Sequence, residues 1–538
     1  MLSEEVDSAE KLNAYSYEKE LLEHLTNLPI DGKRKSYFLN YLTRILVILG
    51  DYKRSNQVIE KLLNNKLPKH IQNELLFRKA DCMTEMGAVD DAIIIYKNLL
   101  SNAYGAEYKN ELFFAIASAE TYINEFDSAK EKCKNLLKNK DTSDKIKAKV
   151  YNLLGIIELN TSNFTKAISY FQKAYQYFQI QGDLLSLLKV LSNLGNINYV
   201  LLNIDQANKY WEEAFKISKE HGILEVETNI LLSYGISFFE KSNFRQAEDS
   251  YLEGLKLANL VATKHKVGLF YLNIGELNIE TMKYEKAKNN LLKALEIFES
   301  LNSLNEIIEI KYLICKLYYV LGNNKIFVLK LAEYEKIVKT NNSIVEHKIF
   351  LEIFSLLRFN YSEYFNRKVN YIKELFLHFS SVENNYQSVR MFFLMVRALF
   401  LNKEYDIIVQ YLIDVKYSNI LLLNKLFEAE KYYWLGKISS VSKHSKLKSE
   451  IEYFEEAYKL LDNIEITELT WKVTFALAEN FLKRGNINKA ASFMFLTKEI
   501  INKFGNQISD LELRRAFYNE TERKDTLEKL QRWEILVK

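Results

Sequence analysis

The chain has 538 residues, only 2 prolines and 16 glycines, and 73 lysines and arginines against 70 aspartates and glutamates. Single hydrophobic cores stop growing at roughly 250–300 residues, so the length excludes one compact core, and the scarcity of turn formers excludes an all-β sandwich. Near-balanced charge argues against nucleic acid or an anionic membrane as a partner. We therefore predict a mainly helical chain that binds neither.

Residues 1–140 are predicted to form degenerate helical hairpins. The small residues Thr43, Ala80 and Ala117 are each followed twelve positions later by another small residue, as in the pair Ala80 and Ala92. The N-terminus is acidic and lacks the apolar stretch of a secretory signal, and no apolar run approaches the ~20 residues that span a bilayer. We expect a cytoplasmic protein without a membrane segment.

Residues 141–322 carry a clear repeat of forty residues. Each cycle has a glycine, an alanine twelve positions later and a large apolar residue four positions after that. The members are Gly155, Gly195, Gly235 and Gly275, then Ala167, Ala207, Ala247 and Ala287, then Phe171, Trp211, Tyr251 and Leu291. This spacing predicts a well-formed array of helix pairs, in which helix A carries the glycine and helix B carries the alanine. We expect the small residues to let the two helix backbones approach, and the pairs to stack because one pair cannot bury its apolar face.

Residues 323–430 keep a helical pattern without the small-residue signature, and they are read as degenerate helical repeats. Aromatic residues such as Phe350, Phe354 and Phe376 are expected in its core. Residues 431–538 regain the signature at Gly436 and beyond, and a capping helix is predicted to close the chain. The pair Ser509 and Glu512 is predicted to start that helix as a capping box.

The glycine, alanine and aromatic positions resemble those of the tetratricopeptide repeat family, although the period is 40 rather than 34. The resemblance implies an all-α fold, a right-handed α-solenoid of stacked antiparallel helix pairs. The C-terminal segment from Ile508 to Phe517 is similar to the closing helix of the tetratricopeptide regions of large bacterial signalling proteins.

The same resemblance implies that one face of each A helix lines a concave groove. The predicted groove residues are Lys149, Asn152, Lys189, Asn193, Asn196, Tyr199, Asn229 and Asn273. Asparagine carboxamides both donate and accept hydrogen bonds, so they could hold the main chain of a bound peptide. The alternative, that they bond to one another or to water, stays open. The two lysines are expected to favour an acidic side chain or a carboxylate.

Motifs of known chemistry are missing from the sequence. It contains no G-x-x-x-x-G-K-[ST] phosphate loop and no H-E-x-x-H zinc motif, and its three cysteines form no paired motif. We predict no metal, no cofactor and no enzymatic activity.

Three functions remain, in order of preference. The first is a non-catalytic scaffold or adaptor that holds a protein or peptide ligand in the concave groove. The second is a bacterial regulatory receptor resembling the Rap-type peptide receptors, in which a short peptide changes the superhelix. The third is an enzyme, or an enzyme subunit, with a site assembled from distant helices.

Overall fold

The structure is a computed structural model that describes residues 15–49, 51–161, 163–201, 203–260, 264–301, 303–340, 345–358, 386–413, 424–442 and 447–537. Twenty-six α-helices span these residues, and no strand occurs among them. In chain order they are α1 Tyr15–Asn27, α2 Gly32–Ile48, α3 Tyr52–Leu63, α4 Lys69–Glu85, α5 Val89–Ser101, α6 Ala106–Tyr122, α7 Phe126–Lys138, α8 Asp144–Asn160, α9 Phe164–Gln181, α10 Leu184–Val200, α11 Ile204–His221, α12 Leu224–Glu240, α13 Phe244–Leu260, α14 Lys264–Glu280, α15 Tyr284–Ser300, α16 Leu304–Val320, α17 Asn324–Thr340, α18 Val345–Arg358, α19 Tyr386–Leu401, α20 Tyr405–Ile413, α21 Lys425–Val441, α22 Glu450–Leu461, α23 Glu468–Lys483, α24 Ile487–Asn506, α25 Leu511–Asn519 and α26 Thr521–Val537.

Consecutive helices pack as pairs, for example α8 on α9, α10 on α11 and α23 on α24. The predicted all-α fold of stacked helix pairs is therefore confirmed. Two glycines forty residues apart end B helices in the left-handed conformation, Gly182 with φ 67° and Gly222 with φ 66°. Only glycine adopts this conformation without steric cost.

The repeat glycines have a more specific role than the predicted close approach of two backbones. A Cβ atom at Gly195 would lie 2.3 Å from the Trp211 ring, and one at Gly235 would lie 2.2 Å from the Tyr251 ring. The large apolar side chain of helix B thus occupies the space that a side chain on helix A would need. The alanine of helix B, such as Ala207, is fully buried. The small and large positions of one repeat are complementary in shape.

The described residues fall into two compact units. The first unit comprises residues up to 233 together with 252–267, and the second comprises 234–251 and 268 onward. The division passes through α12, α13 and α14. Buried aromatic residues fill the second unit as well, including the predicted core residues Phe350 and Phe354. Phe376 lies outside the described residues.

Each unit brings together helices that are distant in sequence. In the first unit, the Tyr52 hydroxyl donates a hydrogen bond to the Glu225 carboxylate, 173 residues further along. In the second unit, the Ser509 hydroxyl donates to Glu285, and Lys288 lies 2.9 Å from Asp510.

The C-terminal helix begins differently from the prediction. Asp510, not Ser509, is the N-cap of α25, and its carboxylate accepts hydrogen bonds from the backbone amides of Glu512 and Leu513. The predicted capping box is wrong because the Ser509 hydroxyl is bound to Glu285 instead. The apolar face of α25 is buried through Leu513 and Phe517. Among the described residues, none of the helices has the length and apolar character required to span a membrane.

Candidate functional site

The first unit contains a cavity of about 320 Å³, which lies on the inner face of its A helices. Most of its walls come from A helices, namely α2, α4, α6, α8, α10 and the start of α12, and two B helices add Tyr52 of α3 and Tyr96 of α5. Aromatic and aliphatic side chains such as Phe77, Phe114 and Val47 line part of it. The predicted groove residues Lys149 and Lys189 are among its lining residues.

Three tyrosine hydroxyls donate hydrogen bonds to carboxyl groups that line this cavity. Tyr96 donates to Asp81 at 2.5 Å, Tyr122 donates to Glu85 at 2.8 Å, and Tyr52 donates to Glu225 at 3.2 Å. Burial raises the pKa of Asp81 to about 6 despite the hydrogen bond from Tyr96. Burial and the nearby Glu225 also raise the pKa of Glu85. These two acids hold a negative charge less readily than ordinary carboxyl groups do.

Glu225 behaves in the opposite way. Burial raises the pKa of its carboxyl group, but the ammonium groups of Lys189 and Lys266 and the Tyr52 hydroxyl outweigh burial and lower it. Lys266 lies 3.6 Å from the carboxylate. The Glu225 charge in turn raises the pKa of Lys189. The Glu225 carboxyl group is therefore held in its ionised form, and the ammonium groups of Lys189 and Lys266 balance its negative charge.

The lining as a whole has more carboxyl groups than ammonium groups. Four carboxyl side chains line it, against the two lysines Lys149 and Lys189. Burial also lowers the pKa of Lys149, whose ammonium group lies 5.9 Å from the centre of the Phe114 ring. The two predicted lysines therefore lie among a larger number of carboxyl groups.

The predicted groove asparagines of the first unit form hydrogen bonds within the chain. The Asn193 amide donates to the Asn152 carbonyl oxygen at 3.0 Å. The Asn196 carbonyl oxygen accepts from the Trp211 indole and from the Ser233 hydroxyl, both at 3.0 Å. As far as the described residues show, none of these asparagines is part of the cavity lining. They lie one or two turns further along the helices that carry Lys149 and Lys189.

The other predicted groove residues occupy separate positions. The Tyr199 ring lies 5.5 Å from the Trp211 ring, measured between centroids. Asn229 is half-buried on α12, and its backbone carbonyl accepts from Ser233. Asn273 belongs to the second unit, where it accepts a hydrogen bond from Tyr251 at 3.4 Å. The structure therefore brings Lys149 and Lys189 together in one cavity but not the complete predicted set.

Several cavity residues could have been found in the sequence. The concave positions that the tetratricopeptide resemblance implies lie six, three and two before the small residue and one and four after it. In the degenerate repeats, the positions six and three before Ala117 are Glu111 and Phe114, and the position one after Ala80 is Asp81. These three residues line the cavity. Glu225 and Tyr52 follow no repeat position. Only their contact across the unit identifies them.

Comparisons with known proteins give distant relatives, and no family model matches the chain. It is 23% identical over 150 residues to response regulator aspartate phosphatase I of Bacillus subtilis (strain 168), a match that covers 28% of this chain and 38% of the relative. It is 24% identical over 170 residues to response regulator aspartate phosphatase E of the same organism, covering 31% of this chain and 45% of the relative. The chain thus matches less than half the length of these curated relatives.

Solved structures with similar helical repeats include a Rap protein complexed with competence and sporulation factor, with a TM-score of 0.46, 15% identity and coverage of 63% of this chain and 98% of that one. The apo form of RapI gives a TM-score of 0.42, 17% identity and coverage of 69% and 99%. A STAND protein with a tetratricopeptide repeat sensor from Pyrococcus horikoshii gives 0.43, 16% identity and coverage of 73% and 56%. The helix pairs described above have the tetratricopeptide-like form that the sequence predicted.

Proposed function

We propose that the chain is a peptide-binding regulatory protein and that the cavity of its first unit binds a short peptide with a cationic group. The observation that carries this proposal is the excess of carboxyl groups over ammonium groups in the lining of the cavity. A lysine or arginine side chain, or a free peptide N-terminus, would neutralise that excess and would restore the ordinary ionisation of Asp81 and Glu85. The resemblance to Rap-type receptors supports the same class of ligand-controlled regulator.

The hydrogen bond between Tyr52 and Glu225 suggests how binding would be transmitted. It joins α3 to α12 across the cavity. A cationic ligand that pairs with Glu225 competes with Tyr52, Lys189 and Lys266 for the same carboxylate, so it alters the contact that closes the unit. The scaffold alternative requires only that the groove hold a partner, without this change.

The test is to titrate peptides of five to seven residues that carry one arginine, and matched peptides in which glutamate replaces the arginine, into the full chain. Calorimetry measures affinity, and small-angle scattering follows the radius of gyration. We expect micromolar or tighter binding of the arginine peptides only, with a change in the radius. Equal affinity for both peptide sets would exclude the proposed charge selection, and binding without any change in radius would favour the scaffold.

Catalysis is tested separately. The two curated relatives are named aspartate phosphatases of response regulators, whereas we predicted that this chain is not an enzyme. Release of phosphate from phosphorylated response regulators, measured with and without the chain, decides the matter. We expect no acceleration, and any catalysis that depends on protein concentration would overturn that expectation.

A further inference from the structure

The second unit contains a separate cavity of about 180 Å³. Its walls come from α14, α16, α19, α21, α23 and α26, together with the residue before α26. Aromatic side chains form much of its surface, including Phe393, Phe427 and Trp434. The volume suits a small molecule or a single side chain rather than a peptide backbone.

Most carboxylates of this cavity are already paired. Glu280 accepts from both Lys316 and Arg390. Glu468 lies 2.9 Å from Arg523 and also accepts from Tyr284 and Trp471. These ion pairs are largely buried, so they are weakly screened by solvent. The hydrogen-bond acceptors of Glu280 and Glu468 are therefore already occupied by side chains of the chain itself.

Hydrogen-bond donors remain. The Tyr312 side chain is fully buried, and its hydroxyl has no hydrogen-bond partner in the described part of the chain. The Arg397 guanidinium lies 3.6 Å from a Glu522 oxygen, beyond hydrogen-bond length, and 5.2 Å from the centre of the Tyr319 ring. Lys472 lies closer to that Glu522 oxygen, at 2.8 Å. A buried polar group without a partner costs free energy, so the Tyr312 hydroxyl indicates a missing acceptor, and the partly exposed Arg397 guanidinium lies on the same cavity.

Glu430 adds a further donor near neutral pH. Burial raises the pKa of its carboxyl group to about 7, and Glu280 adds to the rise, whereas the Trp434 hydrogen bond, Lys472 and Arg397 oppose it. The groups that face Glu430 are thus one carboxylate from α14, one arginine from α19 and one lysine from α23. In its protonated form the Glu430 carboxyl donates a hydrogen bond instead of repelling an anion.

We infer that the cavity of the second unit binds a small oxyanion, a carboxylate or phosphate group, through Arg397 and Tyr312, with any apolar part of the ligand against Phe393, Phe427 and Trp434. The guanidinium fork matches the two oxygens of a carboxylate. The site differs in ligand charge from the cavity of the first unit and does not depend on its proposed function.

The experiment uses the full chain and three probes, namely acetate, benzoate and inorganic phosphate, with affinity measured by calorimetry at pH 6.5. We expect at least one probe to bind with one-to-one stoichiometry. Tighter binding of benzoate than of acetate would identify a carboxylate with an apolar body, and preference for phosphate would identify a phosphate ligand. If none of the three binds at millimolar concentration, the inference is overturned.

Substitutions of Arg397 and Tyr312 test whether the probes bind in this cavity. Arg397→Gln should weaken binding at least about tenfold, since it removes a charged donor, and Tyr312→Phe by several-fold, since it removes a buried one. The matched control is Arg484→Gln, because Arg484 is exposed in the same unit. If Arg397→Gln fails to fold by circular dichroism, Arg397→Lys keeps the charge and should still weaken binding through loss of the fork. Equal losses for the Arg397 and Arg484 variants would show non-specific attraction and would overturn the site.

Binding should also weaken as the pH rises from 6 to 8, because Glu430 then loses its proton. Glu430→Gln keeps a neutral donor and should remove most of this dependence. A pH profile that Glu430→Gln leaves unchanged would contradict the role of Glu430.

Discussion

The two units share one architecture but have cavities of opposite character. In the first unit, tyrosines and lysines are bound to an excess of carboxyl groups. In the second unit, carboxylates are bound to arginines and lysines, and donors such as Tyr312 remain without acceptors. Both cavities are lined by side chains from several helices of one unit, so under the two proposals a few side-chain identities would decide the charge of the ligand. Fold and binding specificity would then be separable in this chain.

The largest expected effect tests the packing of the first unit alone. Ala207→Leu should lower the free energy of unfolding by about 3 kcal/mol, because Ala207 is fully buried and overpacking a tight core costs typically 1–3 kcal/mol. Since repeats interact mainly with neighbours, chemical denaturation should show an earlier transition for the first unit. The exposed Ala106→Leu is the control. A single unchanged transition for Ala207→Leu would contradict the expected packing.

The next effect concerns ligand charge. Glu225→Gln should weaken binding of an arginine peptide about 30-fold, which corresponds to about 2 kcal/mol. Benzoate affinity should be unaltered in the same variant. Calorimetry with both ligands measures the two effects, and Glu131→Gln, at an exposed position of α7, serves as the control. Unchanged peptide affinity would move the peptide site away from this cavity.

The glycines sharpen the comparison at the level of packing. Gly195→Ala in the first unit places a Cβ 2.3 Å from the rigid Trp211 ring, whereas Gly275→Ala in the second places one 2.7 Å from the flexible Leu291 side chain. Alanine favours a helix by about 1 kcal/mol over glycine. We therefore expect Gly195→Ala to destabilise by about 1–2 kcal/mol and Gly275→Ala to be nearly neutral. Thermal denaturation of both variants tests this, and an equal loss would mean that the shape of the neighbour is irrelevant.

The substitution Asn196→Ala tests whether Asn196 stabilises the fold or binds the ligand. Asn196→Ala removes the acceptor of the Trp211 indole, so we expect a loss of about 1 kcal/mol in stability. The sequence alone predicted that Asn193 and Asn196 matter for binding and not for folding. Denaturation and peptide titration of the same variant separate these outcomes. Full stability with weakened binding would restore the groove interpretation.

The smallest effect is a dependence on pH. Because the pKa of Asp81 in the folded protein is about 6, peptide affinity should fall several-fold as the pH drops from 7.5 to 5.5 and the carboxyl is protonated. The free energy of unfolding changes in the opposite direction and rises as the pH drops. A raised acid pKa contributes stability that is fully present below the ordinary carboxyl range and is lost as the pH rises through 6. Asp81→Asn should flatten both profiles, and unchanged profiles would show that another group is responsible.

The sequence by itself determined the helical repeat. The forty-residue spacing of Gly155, Gly195, Gly235 and Gly275 identified helix A, helix B and their stacking. The reason is that each repeat needs a small residue on one helix opposite a large residue on the other. The tetratricopeptide resemblance also predicted Lys149 and Lys189 as groove residues, and the same register applied to Ala80 and Ala117 would have added Asp81 and Glu111. All four line the cavity of the first unit. Local periodicity is enough for such conclusions, since each position is fixed by its own repeat.

Only the tertiary structure decided what the cavities contain. Tyr52 meets Glu225 across 173 residues, and Arg523 meets Glu468 across 55, through contacts that no repeat spacing encodes. The contact between Tyr52 and Glu225 also places a carboxylate near Lys189, which the repeat pattern did not predict. A long-range contact also occupied Ser509, which the local pattern had assigned to a capping box. Long-range pairing depends on how the stacked pairs close on themselves, and that geometry is a property of the packed helices rather than of any single repeat.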